Sequence, residues 1–214
     1  MRLLALDTAT EICSVALVTD GRLQQKVEAH IPRQHAEQLP LFYRELIERS
    51  GQAPAELDGI AVSIGPGSFT GLRIGLSFAK GLAYGFGLPI VPVPTLVALA
   101  RTATTTPGRY KILLHSHRDK VYHQDFERTV EAWTPVSTAA AVAWAVLTAG
   151  LSDYAGLLHW GCQGLLGDNP YAARPLAPSA ASVGILADEN FQDWLVQQPY
   201  ELVPDYISPF ELSR

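Results

Sequence analysis

SIGPGSFTGLR, residues 63–73, is the most informative part of this 214-residue chain. The run Ile60–Ile64 is continuously apolar, which is typical of a strand buried on both faces. The chain then turns through two glycines, and an apolar pattern of helical period extends to about Phe86, with Ser68 or Thr70 as the N-cap. A strand, a glycine-rich turn and a helix in direct succession indicate an α/β protein.

The glycine turn fits two interpretations. Free N–H groups at the start of a helix bind phosphate readily, so Gly65, Gly67 and Ser68 are candidates for a nucleotide contact. No Gly-Lys-Ser/Thr follows, which excludes a Walker A loop, and Gly71 comes one residue late for the dinucleotide-binding pattern Gly-x-Gly-x-x-Gly. The other interpretation is a structural turn, and the residues alone leave both open.

The helix after the turn contains four glycines, at positions 71, 75, 81 and 85. Each glycine inside a helix costs roughly 0.5–1 kcal/mol relative to alanine, so we expect a close approach to compensate for them. The approaching element is either the chain's own sheet or a second subunit. For the second case, we expect a bulky residue at Gly75 to weaken dimerisation and leave the monomer folded.

The first part of the chain, residues 1–105, has the predicted order β-β-β-α-β-α-β-α. Asp20-Gly21 is a strong hairpin signal between two extended runs. This order is typical of one lobe of an actin-like (ASKHA) two-lobe fold. The predicted elements outside the central stretch are strands at Leu3–Asp7, Ile12–Thr19, Leu23–Ala29 and Pro89–Val93, and helices at His35–Ser50 and from Thr95.

The second part, residues 106–214, is predicted to form a smaller, divergent lobe. The polar segment Thr102–Arg109 marks the boundary between the two lobes. The elements predicted beyond it are strands at Ile112–Leu114, Val121–Phe126 and Leu157–Gly161, and helices at Thr138–Thr148 and Ala180–Leu195.

Charge and composition exclude several classes of protein. The formal net charge is −5, whereas a protein that binds nucleic acid by itself usually has a basic excess. We therefore expect contact with RNA only through a partner. Cys13 and Cys162 lie too far apart for a zinc pattern. The apolar run Ala139–Gly150 is too short to span a bilayer, and no cleavage signal follows the first residues, so we expect a cytoplasmic protein.

Asp7 ends the first predicted strand, where actin-like ATPases place an acidic residue. Thr8 and Thr10 follow as hydroxyls that could line a phosphate loop. At the comparable place in the second part stands His115, so only half of a nucleotide site is recognisable. Asp7 is then expected to accept hydrogen bonds from neighbouring turn amides, and we expect no catalytic residue.

His115 and His117 have a spacing that occurs in metal sites, and on a regular strand both would point to one face. A third ligand would have to be His123 or Asp125 from a neighbouring strand. Histidines spaced in this way are more often ordinary surface residues than metal ligands. We therefore expect no metal and no cofactor.

Several motifs, in order and at fitting spacing over roughly residues 1–100, resemble the TsaB (YeaZ) family. The residues that carry the resemblance are Leu4-Ala5-Leu6-Asp7-Thr8-Ala9-Thr10, Cys13-Ser14-Val15-Ala16-Leu17, His35 with Leu39-Pro40, and Gly65 through Gly75. The later residues Val121-Tyr122 and Pro204 with Tyr206 also fit family positions. The family usually has Asp-Ala-Arg where this chain has His115-Ser116-His117.

The resemblance implies an actin-like fold and a role in making threonylcarbamoyladenosine at position 37 of tRNA. It implies a non-catalytic subunit that dimerises with the transferase TsaD, is joined by the ATPase TsaE, and forms homodimers when alone. The alternative is a small actin-like ATPase or kinase. We assign the implied interface to two helices, through His35, Leu39, Phe42, Tyr43, Leu46, Gly71, Arg73, Gly75, Leu76, Ala79 and Leu82.

Overall fold

The computed structural model describes residues 1–147, 151–167 and 173–207, and it contains two sheets. The first sheet has the order β3-β2-β1-β4-β5. In it, β1 pairs antiparallel with β2, and β2 with β3, whereas β4 is parallel to β1 and to β5. The strands are β1 (Arg2–Asp7), β2 (Ile12–Thr19), β3 (Arg22–His30), β4 (Gly59–Gly65) and β5 (Ile90–Pro94).

Helices cover one face of this sheet in the predicted order. They are α1 (His35–Ser50) and α2 (Phe69–Phe86), while α3 (Thr95–Arg101) follows β5. Gly51 ends α1 with φ 65° and donates its N–H to the Ile47 carbonyl, as expected of a glycine C-cap. The order β-β-β-α-β-α-β-α is therefore confirmed. No helix among the described residues is long and apolar enough to cross a membrane.

The other face of the first sheet is covered by a helix from the far end of the sequence. This helix, α6 (Ala180–Glu189), packs Val183 and Ala187 against Leu3 and Ala5 of β1. A Cβ on Gly184 would lie 2.6 Å from a methyl group of Val18, so the helix and the sheet are in close contact.

Residues 180–206 thus return to the first lobe, whereas the predicted division at residue 105 had placed them in the second. The physical reason is that the first sheet has two apolar faces, and α1 and α2 cover only one of them. The helix α7 (Phe191–Trp194) extends this layer beside β5.

The second sheet has the order β11-β10-β6-β7-β8, and β9 also pairs with β7. One face packs against Leu96 and Leu99 of α3, and the short helices α4 (Trp144–Leu147) and α5 (Gln163–Leu166) lie on the other side. The strands are β6 (Gly108–His117), β7 (Lys120–Arg128), β8 (Trp133–Pro135), β9 (Ala140–Ala143), β10 (Gly156–Trp160) and β11 (Ala173–Pro175).

The helix predicted at Thr138–Thr148 is wrong over most of its length. Ala140–Ala143 is a strand that pairs with Lys120–His123, and only Trp144–Leu147 is helical. Alanine is the strongest helix former, but intrinsic propensity is a small effect, and pairing with a neighbouring strand outweighs it here. Thr148 lies outside the described residues.

Candidate functional site

The glycine turn is seated on the loop between β1 and β2. The Ser68 N–H donates to the Ala9 carbonyl at 2.7 Å, and the Thr8 hydroxyl donates to the Gly71 carbonyl at 2.8 Å. A Cβ on Gly67 would lie 2.4 Å from the Ala9 oxygen, closer than non-bonded atoms approach. The turn is therefore filled by the chain's own loop.

Two of the four helix glycines have the same explanation. A Cβ on Gly71 would lie 2.1 Å from the Thr8 carbonyl oxygen, and one on Gly75 would lie 2.2 Å from Thr8 Oγ1. The close approach that compensates for these glycines is thus made by Thr8, within the same chain. Gly75 faces the protein's own core, and the expected dimer contact at this position is corrected accordingly.

Gly81 and Gly85 are different, because both are exposed and a Cβ on either would meet no atom within 4 Å. Nothing in the described part of the chain compensates for their cost in the helix. The two glycines lie on the solvent side of α2, four residues apart.

Asp7 is buried and accepts two hydrogen bonds, from the Ser63 hydroxyl at 2.8 Å and from the Ala9 N–H at 3.1 Å. Burial raises the pKa of its carboxyl group, and these two hydrogen bonds oppose the rise. The bond from Ala9 is the turn-amide contact expected from the sequence. Thr10 Oγ1 accepts the Ile12 N–H at 3.1 Å. Both side chains help to close their own loop.

The other groups proposed for a nucleotide contact are also engaged. Thr8 is fully buried, and the Gly65 N–H donates to Thr95 Oγ1 at 3.1 Å. Ser68 is exposed, but its hydroxyl accepts the Gly71 N–H at 3.2 Å and caps α2. The turn in this conformation acts as a structural seat for the loop and the helix.

Most of the residues assigned to the interface lie in the protein's own core. Those that are buried are His35, Leu39, Leu46, Gly71, Gly75, Leu76 and Ala79. Arg73 is exposed, and Phe42, Tyr43 and Leu82 are partly buried. Of the assigned residues, only these four have side chains that a partner could contact. Spacing alone did not separate the two faces of α2 because both contain small residues.

Tyr43, together with residues outside that assignment, forms the outward face of α1 and α2, which we call the α1–α2 face. Tyr43 and Phe78 are in edge contact, with ring centroids 5.6 Å apart. Elsewhere on α1, Leu41 is exposed and Phe42 is partly buried against the core. On α2 the outward positions are Ile74, Phe78, Gly81 and Gly85. Their spacing of four, three and four residues was the signal that sequence reasoning missed.

The two histidines of β6 are not arranged as a ligand pair. The pairing with β7 is irregular between His115 and His117, so the strand alternation assumed for them is broken. His115 Nε2 lies 3.0 Å from the Arg118 carbonyl oxygen, and His117 Nδ1 lies 3.1 Å from Ser116 Oγ. Within the described residues, no three His, Cys, Asp or Glu side chains group as metal ligands.

Asp125 instead holds a charged network on β6 and β7. Its carboxylate is paired with the buried Lys111 amine, accepts the Tyr154 hydroxyl at 2.6 Å, and lies 3.4 Å from Arg109. Burial alone would raise the pKa of Asp125, but the bonds from Lys111 and Tyr154 hold it below its usual value. The pKa of His123 is lowered by burial and by Lys111.

A cavity of about 800 Å³ lies between the two sheets. Its walls include Trp133 of β8 and Trp194 of α7. The charged groups in its lining are an ion pair, Arg101 with Glu189, and the residue Asp205. The net charge of the lining is therefore negative, which is unfavourable for a ligand with several phosphates.

Comparison with known proteins extends this picture. The family model described as TsaD: tRNA N6-adenosine threonylcarbamoyltransferase matches residues 23–150, more than half of the chain. The tRNA threonylcarbamoyladenosine biosynthesis protein TsaB of Escherichia coli is 38% identical over 130 residues, which are 60% of this chain and 56% of that protein. Its Haemophilus influenzae counterpart is 41% identical over 103 residues, 48% of this chain and 43% of that protein.

The chain thus spans about half the length of the curated relatives that it matches. Over the whole fold, it resembles the structure of YeaZ from Pseudomonas aeruginosa with a TM-score of 0.79 and 29% identity, covering 96% of this chain and 99% of that one. The actin-like two-lobe prediction is confirmed by this agreement and by the two sheets. The chain therefore belongs to the family that the matching model describes and, within it, to the TsaB (YeaZ) proteins.

Proposed function

We propose that this chain is a non-catalytic subunit that docks with a TsaD-type transferase during formation of N6-threonylcarbamoyladenosine at position 37 of tRNA. The observation that carries the proposal is the α1–α2 face, where apolar side chains lie at the surface beside two glycines with open space around them. Glycines in a helix allow another helix to approach closely, which would offset their cost of roughly 0.5–1 kcal/mol each. The face fits a partner helix.

The non-catalytic part of the proposal rests on the glycine turn. The side chains of Asp7, Thr8 and Thr10 are buried, and their polar groups form hydrogen bonds that close the loop and attach it to α2. With a net charge of −5, we infer that tRNA is contacted through the transferase rather than by this chain. A TsaE-type ATPase would join the pair, and two copies of this chain would associate through the same face when no transferase is present.

The test is reconstitution with purified TsaD-type and TsaE-type proteins. The chain alone is expected neither to hydrolyse ATP nor to modify tRNA, and its addition is expected to restore modification by the other two. Turnover of ATP by the isolated chain, at a rate abolished by Asp7→Ala, would contradict the proposal and favour the small actin-like ATPase.

The α1–α2 face is tested by Gly81→Arg. No atom lies within 4 Å of the added Cβ, so the monomer is expected to fold normally. The long side chain would prevent a second helix from approaching. Association of the chain with a TsaD-type protein, measured by analytical ultracentrifugation, is therefore expected to weaken at least about tenfold, or 1.4 kcal/mol. The matched control is Gly164→Arg on α5, which is also a helix glycine in open space. Equal association of both variants would place the partner elsewhere.

A further inference from the structure

The segment Val196–Ile207, called the strap below, runs from α7 back along α2. At its beginning, Val196 and Ile90 exchange backbone hydrogen bonds of 2.7 and 3.1 Å at the edge of the first sheet. Further along, the Lys80 amine donates to the Tyr200 carbonyl at 2.9 Å. Leu202 packs against the core beneath α2. The strap is thus attached beside the second half of the helix.

The other end of the strap reaches the first turns of α2. Arg73 Nε donates to the Tyr206 hydroxyl at 2.8 Å, and its guanidinium carbon lies 3.8 Å from the centre of the Phe69 ring. The Phe69 and Tyr206 rings are themselves 4.9 Å apart, centre to centre. Three side chains therefore form one cation–aromatic cluster, which joins the strap to the helix.

The strap also closes over the end of β4. The Asp205 N–H donates to the Ile64 carbonyl at 2.7 Å. The Asp205 carbonyl oxygen lies 2.6 Å from the place where a Cβ on Gly65 would be, so only glycine fits beneath it. The residues that begin the glycine turn are consequently held from one side by the loop after β1 and from the other by the strap.

The strap leaves the α1–α2 face uncovered. It contacts Phe69, Arg73 and Lys80, whereas Ile74 and Phe78 lie on a different flank of the helix. Few of its side chains are buried: Pro199 and Pro204 are buried and Leu202 is partly buried, whereas Tyr200 and Val203 are 70% and 66% exposed. Segments with few buried side chains open at a small fraction of the global unfolding free energy. Such a segment can detach while the lobe remains folded.

We propose that the strap is a detachable clamp on α2, which orders the first turns of the helix and thereby the α1–α2 face. When it is attached, the cluster at Tyr206 and the bond at Asp205 hold α2 against the end of β4. When it is released, the helix start loses these contacts and the face loses its fixed orientation. The effect on association rests on the proposed function, whereas the effect on helix order does not.

The experiment compares Tyr206→Ala with Tyr200→Ala by amide hydrogen exchange. Tyr200 is the matched control, because it meets Lys80 through its backbone carbonyl, which alanine keeps. In Tyr206→Ala, exchange at residues 72–77 is expected to rise at least about fivefold, and in Tyr200→Ala by less than about twofold. Tyr206→Phe, which keeps the ring and loses the hydroxyl, is expected to fall between them.

The same variants are then compared in association with a TsaD-type protein or a second copy. Tyr206→Ala is expected to weaken association at least about threefold, and Tyr200→Ala to leave it unchanged. Unchanged exchange in Tyr206→Ala, or equal exchange in both alanine variants, overturns the clamp. Faster exchange with unchanged association overturns its control of the face. If the wild-type chain associates with neither protein, the proposed function fails, and the exchange result still decides whether the clamp exists.

Discussion

Thr8 occupies a groove in α2 that exists only because two positions of that helix lack a side chain. Its carbonyl oxygen fills the space at Gly71, and its hydroxyl oxygen fills the space at Gly75. The hydroxyl also donates to the Gly71 carbonyl. This one residue of the β1–β2 loop thereby sets how closely the helix approaches the sheet. The two glycines are opposed by different atoms of Thr8, a backbone oxygen at Gly71 and a side-chain oxygen at Gly75.

Because these two opposing atoms differ, a double-mutant prediction follows. Gly75→Ala is expected to lower the free energy of unfolding by about 1–3 kcal/mol through overpacking against the Thr8 hydroxyl. Thr8→Ala should recover at least about half of that loss, because the clashing atom is gone. It should not rescue Gly71→Ala, whose clash is with a backbone oxygen. Urea denaturation of the two cycles measures this, and equal rescue would show that the Thr8 seat is wrongly described.

Asp125 supplies a pH-dependent contribution to stability. Because the folded protein lowers its pKa, the stabilisation is fully present above the unfolded value of about 3.9 and is lost as the pH falls through the lower folded value. Asp125→Asn leaves the buried Lys111 amine without its carboxylate and is expected to cost about 3–5 kcal/mol at neutral pH. Thermal denaturation between pH 3 and 7 should show a smaller acid-induced loss in the variant than in the wild type.

Among the secondary-structure elements, the helix α2 makes different contacts on three of its sides. Its inner side meets Thr8 and the sheet, one flank meets the strap, and the outward side belongs to the α1–α2 face. Glycines occur on both the inner and the outward sides, for different reasons. On the inner side they are sterically required, and on the outward side nothing within the described residues requires them.

This difference predicts opposite signs for the same substitution within one helix. Gly81→Ala is expected to stabilise the monomer by roughly 0.5–1 kcal/mol, since alanine is the better helix former and no atom obstructs its Cβ. For a chain of this size, the melting temperature should rise by about 1–4 °C. A scanning calorimetry comparison with Gly75→Ala, which should melt lower than the wild type, provides the internal contrast. Destabilisation by both would mean that Gly81 is packed after all.

At the scale of the whole molecule, the two lobes are not consecutive halves of the sequence. The chain builds the first sheet, leaves to form the second, and returns with α6 to cover the open face of the first. The cluster shared by β1, β5 and α6 includes Leu3, Val91 and Val183, all fully buried. The first lobe therefore depends on parts of the chain that lie far apart.

A fragment of residues 1–105 is expected not to fold by itself, because it would expose the apolar face that α6 covers. A chain in which residues 1–103 are joined by a flexible linker to residues 177–207 is expected to fold cooperatively. Circular dichroism with urea denaturation distinguishes the two. A cooperative transition in the shorter fragment would show that α6 is dispensable for the first lobe.

Local sequence patterns were enough to predict the elements of the first lobe and the position of the glycine turn. These follow from local rules: alternation and apolar runs in strands, helical spacing in α1 and α2, and glycine where the chain turns. The sequence also showed that Asp7 ends a strand beside turn amides. The strand at Ala140–Ala143 escaped prediction, because its alanines favour a helix locally and pairing with a neighbouring strand overrides that preference.

Which side of α2 is buried, and which sheet α6 covers, became clear only from the folded structure. Both questions concern contacts between residues far apart in sequence, and helical spacing is the same whether a face meets the chain's own loop or another protein. Gly75 and Gly81 cannot be told apart from the sequence alone. They differ because Thr8, which lies 67 residues before Gly75 in the chain, fills the space beside Gly75 and nothing in the described chain fills the space beside Gly81.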